Sequence, residues 1–458
     1  MTAAAAGNAG NADHRPDAPL TYGHVLAVSM PIVLSNVTTP LLGITNTAVI
    51  GQLGQAHLIG AVAIGATIFS LPFWAFGFLR MGTTGLTAQA SGAGDKQETV
   101  TALARALLIA AVAGCVLILL QKPLGWLSFT LIEASTAVES EARSYFAIRI
   151  WSAPFALANY ALLGWFIGLG QTRVALFLQL LLNGVNIALN LLLVSGMGWG
   201  VPGVALGTVA SEAVAAGVGL WLALRENGWR MAALGWRLSL DRDGLLRMIA
   251  VNGDLMVRTV SALFVFTFFT AQAARAGDVI LAANQVLLLF LNMSSYLLDG
   301  FAFATEVFTG RAIGAAQLER FQDAVRLSSV WAVGTAGLVT VLFALGGGAI
   351  IDAVTTSIDV RETARLYLPW AAAAPIMGVA CFQLDGIFIG ATRTREMRNM
   401  MLVSVVLFLA AWAALTPSLG NHGLWAALMV FFAARAVTLA AYLPALRRDA
   451  FPQAHHVQ

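Results

Sequence analysis

Apolar residues in this sequence fall into about twelve unbroken blocks, each roughly 20 residues long and separated by short polar segments. A helix needs ~20 mostly apolar residues to cross the ~30 Å hydrocarbon core of a bilayer. Because the blocks are continuous and do not alternate between apolar and polar positions, the pattern indicates spanning helices and not the strands of a barrel. The predicted helices cover 22–50, 57–90, 99–121, 142–169, 173–195, 202–225, 244–275, 279–311, 322–346, 362–391, 396–416 and 422–446.

Composition agrees with this pattern. Of the 458 residues, 59% are hydrophobic and 11% are charged, whereas a soluble protein carries about 25% charged residues. The sequence therefore predicts an all-α polytopic membrane protein. The net charge is only +3 and the basic residues do not cluster into a groove, so no nucleic-acid partner is expected. The two cysteines lack a metal-ligand spacing and the six histidines lie at ends or in loops, so we expect neither a metal nor a cofactor.

Basic residues are concentrated in alternate connections between the predicted helices. This basic set comprises Lys96; Arg173; Arg225, Arg230, Arg237, Arg242 and Arg247; Arg311, Arg320 and Arg326; Arg393, Arg395 and Arg398; and Arg447 and Arg448. Because cytoplasmic loops carry the excess of lysine and arginine, these connections and both termini are predicted to be cytoplasmic. The stretch 228–247 mixes tryptophan with arginine, and is either an interfacial helix or an ordinary basic linker.

The sequence repeats itself at a constant offset, which aligns Leu163 with Asp385. Residues 163–173 and 385–395 match at six of eleven positions, and 87–95 and 309–317, at the same offset, match at four of nine. Each repeat holds six predicted helices, so the halves have the same orientation and are related by an axis along the membrane normal. The predicted organisation is a disordered tail (1–20), an N-terminal lobe (21–226), a linker (227–243), a C-terminal lobe (244–446) and a second tail (447–458).

Two glycines spaced four residues apart occur in each copy of the longer block. They are Gly164 and Gly168 in the first copy, and Gly386 and Gly390 in the second. Small residues at this spacing let helices approach closely, so we expect these glycines at helix contacts and not at a ligand. Transporters built from such repeats bind substrate between the halves, so charged residues inside the helices become the candidates for function.

The candidates for ion coupling are four acidic residues within the predicted helices, Asp385, Asp299, Asp254 and Glu306. A charge at mid-bilayer costs at least ~2.5–3.5 kcal/mol, so each acid needs a partner or a purpose. Asp385 aligns with Leu163 in the repeat, so the shared scaffold does not require an acid there, although a buried structural acid remains the alternative. Asp299 and Glu306 share one helix face, which suits a proton carrier. Asp254 lies one turn from Arg258, and the spacing predicts an ion pair between them.

Four stretches of the sequence match a known type of membrane protein. They are Met30–Gly51, Phe78–Gln89, Leu298–Ala302 and Asp385–Arg393. Together they resemble the multidrug and toxic compound extrusion (MATE) family and look closest to its DinF branch. The resemblance implies twelve transmembrane helices in two pseudo-symmetric six-helix lobes around a central cleft. It also implies export of amphipathic, often cationic compounds in exchange for protons or sodium, and we expect a monomer in the bilayer.

The resemblance further implies a site in the N-terminal lobe, where this chain departs from the family. The family usually has aspartate at the position of Asn46, and often a second aspartate at the position of Asn190. An amide keeps the hydrogen-bonding reach of a carboxylate but cannot bind and release a proton near pH 7. Asn183, Asn186 and Asn190 share one helix face. With Asn46 and Asn36, they either form a network between helices or line a water-filled cavity, the interpretation that the resemblance favours.

Family members bend the first helix at a proline near the position of Pro31, so this residue is either a hinge or a static kink. A promiscuous substrate site also needs an adaptable wall of aromatic and thioether groups. Candidates for this wall, each of which also suits ordinary packing, are Met30, Phe155, Tyr160, Phe290, Met293 and Tyr296.

These observations predict a secondary active multidrug efflux antiporter that alternates access between two lobes, and not an enzyme. Protons are the expected coupling ion because of the DinF likeness, and sodium is the alternative. A flippase for lipid-linked precursors, a function found in the wider superfamily, needs several cations in its cavity, and Arg80 and Arg258 are the internal candidates. An intramembrane enzyme needs a catalytic constellation, and no histidine occurs in the middle of a predicted span.

Overall fold

A computed structural model describes residues 20–52, 55–132, 135–228, 233 and 236–455, and within these ranges the chain folds into twelve long helices. They are α1 (Tyr22–Gly51), α2 (Ala56–Ala75, continued by Phe78–Gly92), α3 (Lys96–Leu119), α4 (Thr136–Arg149, continued by Ala153–Gly168), α5 (Thr172–Asn190), α6 (Gly200–Asn227), α7 (Arg242–Arg275), α8 (Asp278–Gly314), α9 (Leu318–Val354), α10 (Ile358–Gly390), α11 (Thr394–Leu419) and α12 (Asn421–Ala450). Eleven of them, α2 to α12, are long and apolar enough to cross a membrane. The predicted all-α membrane fold is therefore confirmed.

Several predicted boundaries need correction. α2 is interrupted at 76–77, just after Pro72, whose ring removes a backbone donor from that part of the helix. An additional short helix, Gln121–Leu131, follows α3 where the sequence predicted a loop. α12 continues to Ala450 and Phe451 packs against Phe321, so the chain is ordered beyond the predicted start of the tail at 447. The predicted tail 1–20 lies outside the described residues except for Leu20, and of the predicted linker 227–243 only residues 229–232, 234 and 235 lie outside them.

The turns after α2, α4, α8 and α10 lie at one end of the molecule, which we call the basic end. The residues that define it are Lys96, Arg173, Arg320 and Arg393. Each of these turns joins an even-numbered helix to the next odd-numbered helix, so the chain returns to the same end of the molecule after two helices. This is the side that the charge distribution of the sequence predicts to be cytoplasmic.

The helices form two bundles, α1–α6 and α7–α12, that share packing only in part. Towards the basic end, one core combines side chains of both bundles, such as Phe78 of α2 with Met248 and Phe388 of α7 and α10. Towards the opposite end the bundles have separate cores, one around Tyr145 and the other around Trp425. Because helices in a membrane associate through close packing of their side chains, this shared core joins the bundles most firmly at the basic end.

The repeated glycines lie at helix contacts, as predicted. Gly164 of α4 leaves no room for a Cβ against the backbone carbonyl of Arg80, and Gly386 of α10 has the same relationship to Ala302. Arg80 and Ala302 are themselves aligned by the repeat, so the two contacts are equivalent. The pair α4–α2 and the pair α10–α8 therefore pack in the same way. Such close approach requires glycine, because any side chain would meet backbone atoms.

Candidate functional site

Asp385 of α10 lies inside the C-terminal bundle, where two arginines bind it. Nη2 of Arg435 on α12 donates a hydrogen bond to Oδ2 of Asp385 at 2.5 Å, and Nη2 of Arg258 on α7 donates to the same oxygen. The three side chains are 8%, 6% and 13% exposed for Asp385, Arg435 and Arg258 respectively. Neither arginine has a partner for its Nε among the described residues. One buried carboxylate thus serves two buried guanidinium groups.

Asp299 and Arg80 extend this charged region to the face where the bundles meet. Asp299 of α8 is partly exposed and interacts electrostatically with Arg80, Arg258 and Arg435. The guanidinium carbon of Arg80 on α2 lies 3.7 Å from the ring centroid of Phe303 on α8, a cation–π contact between the two bundles. Arg80 therefore reaches across the bundle interface.

Glu306 of α8 also lies at this interface. It is fully buried, and neither of its carboxylate oxygens has a hydrogen-bond partner among the described residues. Arg80 and Thr84 of α2 face it from the other bundle. Thr84 is the repeat equivalent of Glu306, so the acid faces its own symmetry mate. Taken with the groups around Asp385, the interface carries three arginines and three acids, and their formal charges cancel.

The predicted ion pair between Asp254 and Arg258 is wrong. Arg258 points into the C-terminal bundle towards Asp385. Asp254 instead accepts hydrogen bonds from Nη1 of Arg398 at 2.6 Å and from Oγ1 of Thr394 at 3.1 Å. Residues one turn apart share a face only approximately, and here each finds a partner on a different neighbouring helix. Asp254 ties α7 to the start of α11 and lies outside the hydrogen-bonded group around Asp385.

The asparagines of the N-terminal bundle form a buried hydrogen-bonded network. Nδ2 of Asn190 on α5 donates to Oδ1 of Asn46 on α1 at 2.6 Å and to Oδ1 of Asn186 at 2.9 Å. Asn186 donates in turn to the hydroxyls of Thr208 and Ser211 on α6, at 3.1 and 3.4 Å. Asn46 is 8% exposed, and Asn186 and Asn190 are 0% exposed. In this conformation the side chains form the network that the sequence left open as an alternative, and not the wall of an open cavity.

Asn183 and Asn36 lie apart from that network. Nδ2 of Asn183 donates to the backbone carbonyl of Thr38 on α1 at 3.2 Å. Nδ2 of Asn36 on α1 donates to the backbone carbonyl of Tyr296 on α8 at 3.3 Å, so it crosses from one bundle to the other. Pro31 precedes this crossing within α1, and its role as a hinge stays a prediction.

The six residues predicted to form a substrate wall divide into two groups. Met30, Phe155 and Met293 are 41%, 39% and 56% exposed, and Tyr160 and Tyr296 are partly exposed. These five side chains are accessible, as contact with a ligand requires, so their role in substrate binding stays a prediction. Phe290 follows the packing alternative. This side chain is 1% exposed and its ring packs against Phe343, in the core of the C-terminal bundle.

Three buried arginines were not found by sequence reasoning, and one of them, Arg105 of α3, forms an ion pair with Glu98 at 2.6 Å. Arg435 lies on α12, and Arg149 of α4 makes two hydrogen bonds to Glu212 of α6, at 2.7 and 3.1 Å. Both side chains of the Arg149–Glu212 pair are at most 10% exposed. The available signal was a single arginine within an otherwise apolar block, which is costly in a membrane unless a carboxylate lies nearby.

Comparison with known proteins agrees with this architecture. A family model described as MatE matches residues 31–192 and 255–412. DNA damage-inducible protein F of Escherichia coli is 41% identical over 425 residues, which cover 90% of each chain. Probable multidrug resistance protein NorM of Deinococcus radiodurans is 28% identical, over 88% of this chain and 90% of the relative. The crystal structure of MATE in the bent conformation has a TM-score of 0.84 at 18% identity, over 93% of this chain and 96% of that chain. The chain therefore belongs to the MatE family of membrane transporters, and within it to the DinF branch.

Proposed function

We propose that this protein is an antiporter that exports amphipathic, often cationic compounds from the cytoplasm in exchange for protons. Its relative in Deinococcus radiodurans carries the name of a probable multidrug resistance protein, which supports the substrate class. The protein works as a monomer in the inner membrane of a bacterium. The basic end faces the cytoplasm, because the arginines and lysines of the connections concentrate there.

The observation that carries this proposal is the unequal packing of the two bundles. They share a core at the basic end and have separate cores at the opposite end. Two rigid bundles joined at one end can exchange that contact for one at the other end. Substrate bound between them is then accessible first from one side of the membrane and afterwards from the other.

Coupling takes place at the charged groups between and beside the bundles. Asp385, Asp299 and Glu306 are the acids, and Arg80, Arg258 and Arg435 balance them. Adding a proton to one acid upsets this balance and leaves an arginine without its counter-charge. A cationic substrate and a proton therefore compete for the same carboxylates. The ion drives export only if its affinity differs between the inward-facing and outward-facing states.

Sodium is the alternative coupling ion. A flippase for lipid-linked precursors is the second alternative, since Arg435 adds a third cation to the charged region around Asp385, beside the two that the sequence offered. The equal number of acids beside these arginines favours the antiporter, because a pyrophosphate-binding cavity needs an excess of positive charge.

The test is efflux of a cationic amphipathic dye from proteoliposomes that hold the purified protein. We expect transport under a pH gradient alone and none under a sodium gradient alone. The reverse result would make sodium the coupling ion, and no efflux under either gradient would overturn the antiporter. A parallel series with Asn46→Asp, alone and with Asn190→Asp, asks whether the amides silence a second coupling site. Asn183→Asp, on the same face of α5, is the matched control.

A further inference from the structure

Two side chains cross between the bundles at the basic end, and the repeat relates them to each other. Gln89 near the end of α2 and Arg311 near the end of α8 occupy equivalent positions in the aligned blocks 87–95 and 309–317. Nε2 of Gln89 donates a hydrogen bond to the backbone carbonyl of Gly390, where α10 ends, at 2.9 Å. Nη2 of Arg311 donates to the backbone carbonyl of Leu169, just after α4 ends. Each bundle thus binds the end of a helix in the other bundle.

The two turns that receive these side chains have a left-handed backbone conformation. Gly170 has a φ of 65° and its repeat equivalent Thr392 has a φ of 54°. A β-branched residue rarely adopts this conformation, and strain of this kind persists where the surroundings fix it, often at functional positions. Oγ1 of Thr392 accepts a second hydrogen bond from Nε2 of Gln89, at 3.2 Å. The guanidinium of Arg311 fills the space that a side chain at 170 would need.

The helices that carry these two side chains are themselves in backbone contact. Gly92 of α2 has no room for a Cβ against the backbone of Arg311, and Gly314 of α8 has none against the carbonyl of Gln89. Gly92 and Gly314 are again equivalent in the repeat. The pseudo-two-fold axis therefore passes between α2 and α8 here, and separating the bundles at this end moves both hydrogen-bond acceptors away from their donors together.

We propose that Gln89 and Arg311 form a latch that sets how strongly the basic end stays closed. The latch rests on the proposed function, in which this end opens to the cytoplasm during each transport cycle. Neither residue needs to touch substrate, so both are positioning residues for transport. The two residues contribute about equally, because the one hydrogen bond from the charged donor of Arg311 is about twice as strong as each of the two neutral hydrogen bonds of Gln89.

A cysteine beneath the latch reports opening. Thr84 of α2 is fully buried and faces Glu306 of the other bundle, so Thr84→Cys reacts with a maleimide only when the bundles separate at the basic end. The background carries Cys115→Ala and Cys381→Ala, and the protein is placed in lipid nanodiscs so that both ends are accessible. We expect Arg311→Ala and Gln89→Ala each to raise the labelling rate by about tenfold, the effect of losing one hydrogen bond from a charged donor or two between neutral groups. Arg311→Gln, which copies the donor of the other repeat, should raise it less.

Arg326→Gln is the matched control, since Arg326 is exposed on α9 towards the same end. The thermal midpoint of every variant separates opening from misfolding, and Gln89→Ala keeps the test decisive if Arg311→Ala does not fold. If all latch variants are labelled at the same rate as Arg326→Gln, the latch is overturned. Gradient-driven efflux by the unmodified chain would still support the antiporter in that case. Failure of that efflux with faster labelling of the latch variants would overturn the proposed function and leave the latch as a structural gate.

Discussion

Asn190 donates a 2.6 Å hydrogen bond to Asn46 in the interior of the N-terminal bundle, and the two residues come from helices that are four apart in the chain. The same amide also donates to Asn186 on its own helix. One side chain therefore satisfies two buried acceptors at once and joins α1 to α5. Family resemblance implies acids at the positions of Asn46 and Asn190, and in this chain two amides replace them with a neutral network.

Asn190→Ala is expected to destabilise the protein by about 1–3 kcal/mol for each acceptor left without a donor. The acceptors are Oδ1 of Asn46 and Oδ1 of Asn186, both of which are buried. The thermal midpoint of the detergent-solubilised protein measures the effect. Asn399→Ala is the control, because Asn399 is exposed on α11. Equal midpoints for the two variants would show that the network contributes nothing to stability.

Asp385→Asn is expected to abolish efflux driven by a pH gradient, because an amide cannot exchange a proton or neutralise Arg258 and Arg435. The variant also loses stability, since breaking a buried ion pair costs about 3–5 kcal/mol. Dye binding and the thermal midpoint, measured beside transport, show whether the folded protein persists. Asp352→Asn is the control, because the ion pair of Asp352 with Arg365 is exposed. Full proton-driven efflux by Asp385→Asn would remove this residue from the mechanism.

Glu212→Gln is expected to lower stability by about 3–5 kcal/mol, because it leaves the buried guanidinium of Arg149 unpaired. Replacing both partners, as Arg149→Met with Glu212→Leu, should recover most of the loss, since neither variant residue then buries a charge. Glu139→Gln breaks the exposed ion pair with Arg143 in α4 and should change stability by less than about 0.5 kcal/mol. If Glu212→Gln proves as stable as the double variant, or more stable, the unpaired guanidinium of Arg149 is not the cause of the loss.

Gly386→Ala is expected to destabilise the C-terminal bundle, because the added Cβ meets the carbonyl of Ala302. Gly334→Ala on α9 is the matched control. No described atom lies within 4 Å of a Cβ at that position, so the change should stabilise the helix by about 0.5–1 kcal/mol through its higher helix propensity. Opposite shifts of the two thermal midpoints are the expected result. The same shift in both variants would show that close packing at Gly386 does not contribute to the stability of the protein.

The spans and the repeat followed from the sequence alone. A helix in lipid must form all its backbone hydrogen bonds within itself, so each span is a continuous apolar block in the sequence. Such a block can be located without knowing which distant residues the helix contacts. The repeat was visible for a related reason. Gly164 and Gly386 pack against backbone carbonyls, and no larger residue fits there, so the same residue type recurs at the same offset.

The partners of the buried polar groups were decided only by the tertiary structure. Asp254 and Arg258 are neighbours on one helix, yet each binds a residue more than a hundred positions away, Arg398 and Asp385. Which partner a side chain reaches depends on the rotation of each helix and on its neighbours, and a shift of one residue turns a helix by roughly 100°. Local spacing cannot fix that rotation. The ends of the helices likewise depend on turns such as that at Thr392, whose left-handed conformation is held by Gln89 from the other bundle.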